Sequence, residues 1–109
     1  MDENTNDWIK EKITSTDVVL FMKGTPEAPQ CGFSNQVVQI LNYLGIEFSS
    51  VNVLEDESIR NGIKEYTNWP TIPQLYVKNE FIGGADIIRE MFEENELKEF
   101  MADKGISTN

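Results

Sequence analysis

The sequence predicts an α/β fold, a four-stranded mixed β-sheet flanked by helices, and three observations lead to it. The run Val18-Val19-Leu20-Phe21-Met22 is apolar without alternation, as in a strand buried on both faces. A helical pattern from Phe33 to Leu44 separates it from a second strand-like stretch, Phe48 to Val53, and a strand–helix–strand order implies parallel pairing. Further on, Gln74-Leu75-Tyr76-Val77 and Phe81-Ile82 flank a short turn near Lys78-Asn79, which reads as an antiparallel hairpin. A chain of 109 residues can close one core without metal or disulfide staples, so residues 1–109 are expected to form a single domain.

Each element has its own signal. Residues 5–14 give a short amphipathic helix with Trp8, Ile9 and Ile13 on one side, and Asp17 then opens the first strand. Gly24 to Gln30, with Pro26 and Pro29, reads as a stiff loop. In the next helix residues 33, 37, 40, 41 and 44 fit a 3.6-residue period, and Gly45 is a plausible C-terminal stop. In the second strand Val51 and Val53 share a face. Asp56 can cap a helix running to about Tyr66, with Ile59, Ile63 and Tyr66 as its buried stripe and Arg60 and Lys64 together beside it. Trp69-Pro70-Thr71-Ile72-Pro73 interrupts the chain before the hairpin. Gly83-Gly84 ends its second strand, and helices are expected over about Asp86–Glu93 and Glu96–Ala102. The order α-β-α-β-α-β-β-α-α is a thioredoxin-like arrangement.

Composition excludes several classes of function. Nine basic against 19 acidic residues give a net charge of −10, which disfavours nucleic acid and anionic membrane surfaces as partners. The longest apolar run, Val18–Met22, is far too short to cross a bilayer. The acidic, polar start Met1-Asp2-Glu3-Asn4 reads as neither a secretory signal nor a transit peptide, and one cysteine fits a reducing compartment, so a cytoplasmic protein is expected. With no histidine, the chain cannot supply an imidazole base or an imidazole metal ligand.

Cys31 is the sole cysteine, placed after a loop and at the mouth of the predicted Phe33–Leu44 helix. Unpaired backbone N–H groups and the positive end of the helix dipole favour a thiolate there, and Lys23 adds a second positive charge. A buried, inert thiol is the competing reading of an isolated Cys. Phe33 fits the core stripe of its helix but also adjoins the thiol. Ser34 is either a first-turn residue serving backbone groups or a neighbour of the sulfur, and the two are compatible.

Four blocks in order carry a resemblance to a known family: Lys23-Gly24-Thr25-Pro26, Pro29-Gln30-Cys31-Gly32-Phe33-Ser34, Asn68-Trp69-Pro70-Thr71-Ile72-Pro73-Gln74-Leu75 and Gly83-Gly84-Ala85-Asp86-Ile87. Over roughly residues 5–102 the chain resembles the monothiol glutaredoxins with a Cys-Gly-Phe-Ser active site, in their short single-domain form. The resemblance implies that Cys31 is the nucleophile and the only protein ligand of an iron–sulfur cluster. Ser34 stands where dithiol relatives carry a resolving Cys, so an internal disulfide is closed to this chain. Lys23 and Arg60 are implied to meet the glycine carboxylate of glutathione, while Lys64 only flanks it; as plain residues all three also read as solvated surface charges. Thr71 and Ile72 precede the family's cis-proline, where a backbone edge pairs with the cysteinyl part of glutathione; a trans proline opening a strand is the alternative. Gly84, Ala85 and Asp86 are implied to hold the γ-glutamyl end, with Asp86 as a plain helix N-cap the competing account. Ala85 departs from the Cys found there in many relatives, which bears on second-thiol mechanisms but not on glutathione binding through backbone.

Two functions follow from the resemblance. Iron–sulfur clusters are commonly held by four thiolates. Two chains and two glutathiones supply four, so a 2Fe-2S cluster bridged in a homodimer is expected, for delivery to apo iron–sulfur client proteins with a possible BolA-type partner. The alternative is glutathione-dependent thiol–disulfide exchange, expected to be weak because the Gly24–Gln30 loop is longer than in dithiol relatives. An interaction module with an inert Cys is the third reading.

Overall fold

The computed structural model describes residues 3–109. Helix α1 (Glu3–Ser15) leads into β1 (Val18–Met22), followed by two very short strands, β2 (Gly24–Thr25) and β3 (Ala28–Pro29), and helix α2 (Gly32–Tyr43). Strand β4 (Ser49–Asn52), helix α3 (Glu57–Thr67), the hairpin β5 (Gln74–Val77) and β6 (Glu80–Gly83), and helices α4 (Ala85–Glu93) and α5 (Leu97–Asp103) complete the chain. The main sheet has the order β4-β1-β5-β6. Strand β1 pairs in parallel with β4, Phe21 opposite Val51, and antiparallel to β5, Phe21 opposite Gln74. The thioredoxin-like, mixed four-stranded architecture expected from the sequence is therefore present.

Alternation along the strands divides the core in two. Val18, Leu20, Met22, Leu75 and Val77 face one side, where they pack on Val37, Leu41, Ile88, Leu97 and Met101 of α2, α4 and α5. Val19, Phe21, Val51, Val53 and Tyr76 face the other, against Ile9, Ile13, Ile59 and Ile63 of α1 and α3. Every residue of β1 is buried, which is why its sequence shows no alternation. Full burial of such side chains is worth about 1.5–3 kcal/mol each against leaving them exposed.

Local chemistry sets the element ends. The Asp56 carboxylate accepts from the N–H groups of Ser58 and Ile59, so it caps α3. Gly45 follows α2 at φ +69, where its N–H donates to Asn42 O and that of Ile46 to Leu41 O, a Schellman stop. Lys78 and Asn79 both have positive φ, as a two-residue hairpin turn requires.

Three expectations need correction. The stiff loop after β1 contains the β2–β3 pair, closed by Gln30 N–H to Lys23 O and anchored by Gly24 N–H to Asn52 Oδ1. Gly24 sits at φ +92, and a Cβ there would lie 2.6 Å from Ala28 O and Gln30 N, so this tight return admits only glycine. Phe33 leaves the core stripe: it is 60% exposed, and in the first turn of α2 the buried position falls to Ser34 instead. Trp8 likewise does not share the burial of Ile9 and Ile13, being 43% exposed.

Candidate functional site

Chain direction places the thiol. Strand β1 ends at Met22, the β2–β3 return follows, and Cys31 emerges as the extended N-cap of α2 (φ −152°, ψ 135°). Its carbonyl accepts from Asn35 N–H to begin the helix, while its half-buried sulfur closes no full capping bond. Burial is the largest single influence on this thiol and pushes its pKa up. The backbone N–H groups of Ser34 and Phe33, the Ser34 hydroxyl and the Lys23 charge together outweigh it, so the pKa lies below that of an ordinary thiol. Ser34 is fully buried, and its Oγ accepts from Lys23 N–H at 3.1 Å. With the oxygen accepting from β1, the hydroxyl proton is left to serve the sulfur. Both readings of Ser34 therefore hold in one side chain.

Beside the sulfur runs a groove of about 410 Å³. Lys23, Cys31 and Phe33 form one wall and Lys64 contributes from α3. The segment Trp69–Pro73 and residues Gly84–Ile87 complete it. The Ile72–Pro73 peptide is cis. Thr71 is exposed, and the N–H groups of Thr71 and Ile72 have no partner among the described residues. Gly84 lies against this segment so closely that a Cβ would come within 3.2 Å of Pro73 O and 3.4 Å of Trp69 Nε1. As the N-cap of α4 it offers no side chain, which leaves the helix's first N–H groups and dipole to an incoming anion. Asp86 is the second residue of α4 rather than its cap, and its carboxylate pairs with Arg89 Nη1 at 3.4 Å. Lys23 and Lys64 have no carboxylate partner within ion-pair distance among the described residues, so the groove keeps positive charge in a chain of net charge −10.

The fold thus brings together Cys31, Lys23, Thr71, Ile72, Gly84, Ala85 and Asp86. It does not bring Arg60 to the groove wall; Lys64, one turn further along α3, lies there instead. Sequence reasoning assigned no site role to Trp69, Pro70 or Ile87, which also line the groove. Adjacency to Ile72-Pro73 and Asp86 was the available signal for them. A larger concavity of about 710 Å³ at the other end of β1, around Asp17, Glu47 and Ser107, holds no cysteine and no basic side chain.

The glutaredoxin family model matches residues 18–82, from the start of β1 into β6, including the thiol and the cis-proline segment. The chain belongs to the glutaredoxin family, in its monothiol branch. An uncharacterized monothiol glutaredoxin of Synechocystis sp. is 55% identical over 101 residues, covering 93% of this chain and 94% of that protein. A probable monothiol glutaredoxin of Rickettsia typhi is 50% identical over 105 residues, covering 95% of each. Among solved structures, a monomeric truncated mutant of Trypanosoma brucei 1-C-Grx1 superposes with a TM-score of 0.88 at 45% identity, covering 95% of this chain and 94% of that one. Glutaredoxins as a family use glutathione as substrate or ligand.

Proposed function

We propose that this monothiol glutaredoxin carries a 2Fe-2S cluster as cargo, bridged between two copies by Cys31 of each and the thiols of two glutathiones, and passes it to apo iron–sulfur proteins. The observation that carries the reading is Cys31 itself: one thiolate-favouring sulfur, half-exposed at the end of a groove of tripeptide size, in a chain with no second thiol. A cluster wants four thiolates, and one chain with one bound glutathione offers two. A second identical half completes the set. Among the described residues no three His, Cys, Asp or Glu side chains converge on a metal position, so the donor set fits a shared cluster better than a site within one chain.

In the bound state Lys23 and Lys64 meet the glycine carboxylate of glutathione by charge. The open N–H edge at Thr71 and Ile72 pairs with its cysteinyl backbone, in the manner of strand addition. The first N–H groups of α4 at Ala85 and Asp86 receive the γ-glutamyl carboxylate, with the Asp86 side chain near the ammonium group. Client iron–sulfur proteins and a BolA-type protein are the partners this reading calls for, and the cytoplasm is its compartment.

The lowered thiol pKa favours a second reading, thiol–disulfide exchange. Here the Cys31 thiolate attacks the glutathione sulfur of a glutathionylated protein, the mixed S–S bond breaks and the protein thiolate leaves. A second glutathione thiolate then attacks the Cys31 adduct, releasing glutathione disulfide and restoring the Cys31 thiolate. Anaerobic reconstitution with ferrous iron and sulfide, with and without glutathione, separates the two. The carrier reading expects a coloured dimer on size exclusion only when glutathione is present. A coloured monomer, or full colour without any small thiol, would overturn it.

A further inference from the structure

Gln74 is a fully buried amide in an otherwise apolar setting. It opens β5 opposite Phe21, and because Leu75 faces the α2 side, Gln74 shares the α1/α3 face with Tyr76. Burying an amide is costly unless it is hydrogen-bonded, and an apolar side chain of similar size would fill the same space. Its bonds are all spent in one direction. Nε2 donates to Trp69 O at 3.2 Å and to Thr71 O at 3.1 Å, whereas Oε1 has no partner among the described residues.

The segment those bonds hold is the groove wall. Pro70 and Pro73 have no N–H to give, and those of Thr71 and Ile72 have no partner among the described residues, so no strand ladder there fixes residues 70–72. We propose that Gln74 is a positioning residue: its amide, clamped on the carbonyls of Trp69 and Thr71, fixes the open edge at Thr71 and Ile72 that receives glutathione. The inference rests on the glutathione reading above. Gln74 does not line the groove, and it acts through the carbonyls it holds.

The test compares two reagents on the reduced full-length chain. Iodoacetamide needs only the Cys31 thiolate. Glutathione disulfide needs the groove as well: the Cys31 thiolate attacks one of its sulfurs, the S–S bond breaks, a mixed disulfide forms and glutathione thiolate leaves. Gln74→Leu and Gln74→Glu both remove the two donors. In Gln74→Leu, melting temperature and circular dichroism should stay near wild type, and the iodoacetamide rate within about twofold. The glutathione disulfide rate should fall about tenfold, with Gln74→Glu at least as slow because a carboxylate faces the two carbonyls. Equal rates for both reagents in both variants would overturn the proposal. So would parallel loss of both reactions or unfolding in both variants, which would assign Gln74 to the core. A wild-type chain that reacts no faster with glutathione disulfide than with cystine would remove the glutathione reading, and this inference with it.

Discussion

Replacing Ser34 with Ala probes the join between fold and chemistry, because one hydroxyl serves both. In the folded chain Ser34 Oγ lies fully buried and accepts from Lys23 N–H at 3.1 Å, fastening the end of β1 to the first turn of α2. Alanine keeps the helix but leaves that N–H without its acceptor. An orphaned buried donor costs about 1–3 kcal/mol, and the half-buried setting of Lys23 favours the lower part, about 1–2 kcal/mol. At about 4–6 °C per kcal/mol for a domain of this size, the melting temperature should drop by about 4–12 °C. The same change removes one of the donors that hold the Cys31 pKa down, so the thiol should titrate at higher pH than in wild type. Thermal unfolding by circular dichroism and an ultraviolet thiolate titration, both on reduced apo-protein, read the two effects. A melting temperature within about 1 °C of wild type together with an unmoved Cys31 titration would refute the reasoning.

Other outcomes follow from the groove and its charge. Lys23→Ala and Lys64→Ala should each weaken glutathione binding about three- to tenfold by calorimetry, the low end of a charge-assisted bond, since both residues are solvent-screened. Arg60→Ala should cost less, as Arg60 does not line the groove, and an effect larger than that of Lys64→Ala would reverse this ranking. Glutathione disulfide should add one glutathione to the intact chain by mass spectrometry and none to Cys31→Ser. Ser34→Cys should close an internal disulfide on oxidation, and its failure to do so would contradict the closeness of positions 31 and 34. Because the folded-state thiol pKa is lowered, the thiolate stabilises the fold fully above the unfolded thiol pKa, and this is lost as pH falls through the folded pKa. The melting temperature of wild type relative to Cys31→Ser should therefore rise with pH across that window. A difference independent of pH would argue against thiolate stabilisation by the fold.

Much of the fold was legible because the strongest sequence signals coincide with the deepest burial. Val18–Met22 lacks alternation and lies in the centre of the sheet, and Asp56 caps the helix it was expected to cap. The β2–β3 pair was hidden because two prolines mark a loop, while its closure depends on Asn52, 28 residues beyond Gly24. Periodicity assigned Phe33 to the core, but a helical stripe does not tell which residue of the first turn faces inward, and there it is Ser34. The site was legible where a motif named backbone-level features, such as Gly84 and Ile72-Pro73. It was less legible on α3, where Arg60 and Lys64 share one face and only the packing angle of the helix decides which reaches the groove. Gln74 carried no signal of its own, since a glutamine opening a strand reads as surface until its burial is known.

The most direct test of the account is the composition of the cluster-bearing species. Native mass spectrometry of protein reconstituted anaerobically with iron, sulfide and glutathione should give a dimer with two glutathiones, two irons and two sulfides, and Cys31→Ser should give none of it. A cluster mass on a single chain, or on a dimer that holds no glutathione, would contradict the shared-ligand model at its root.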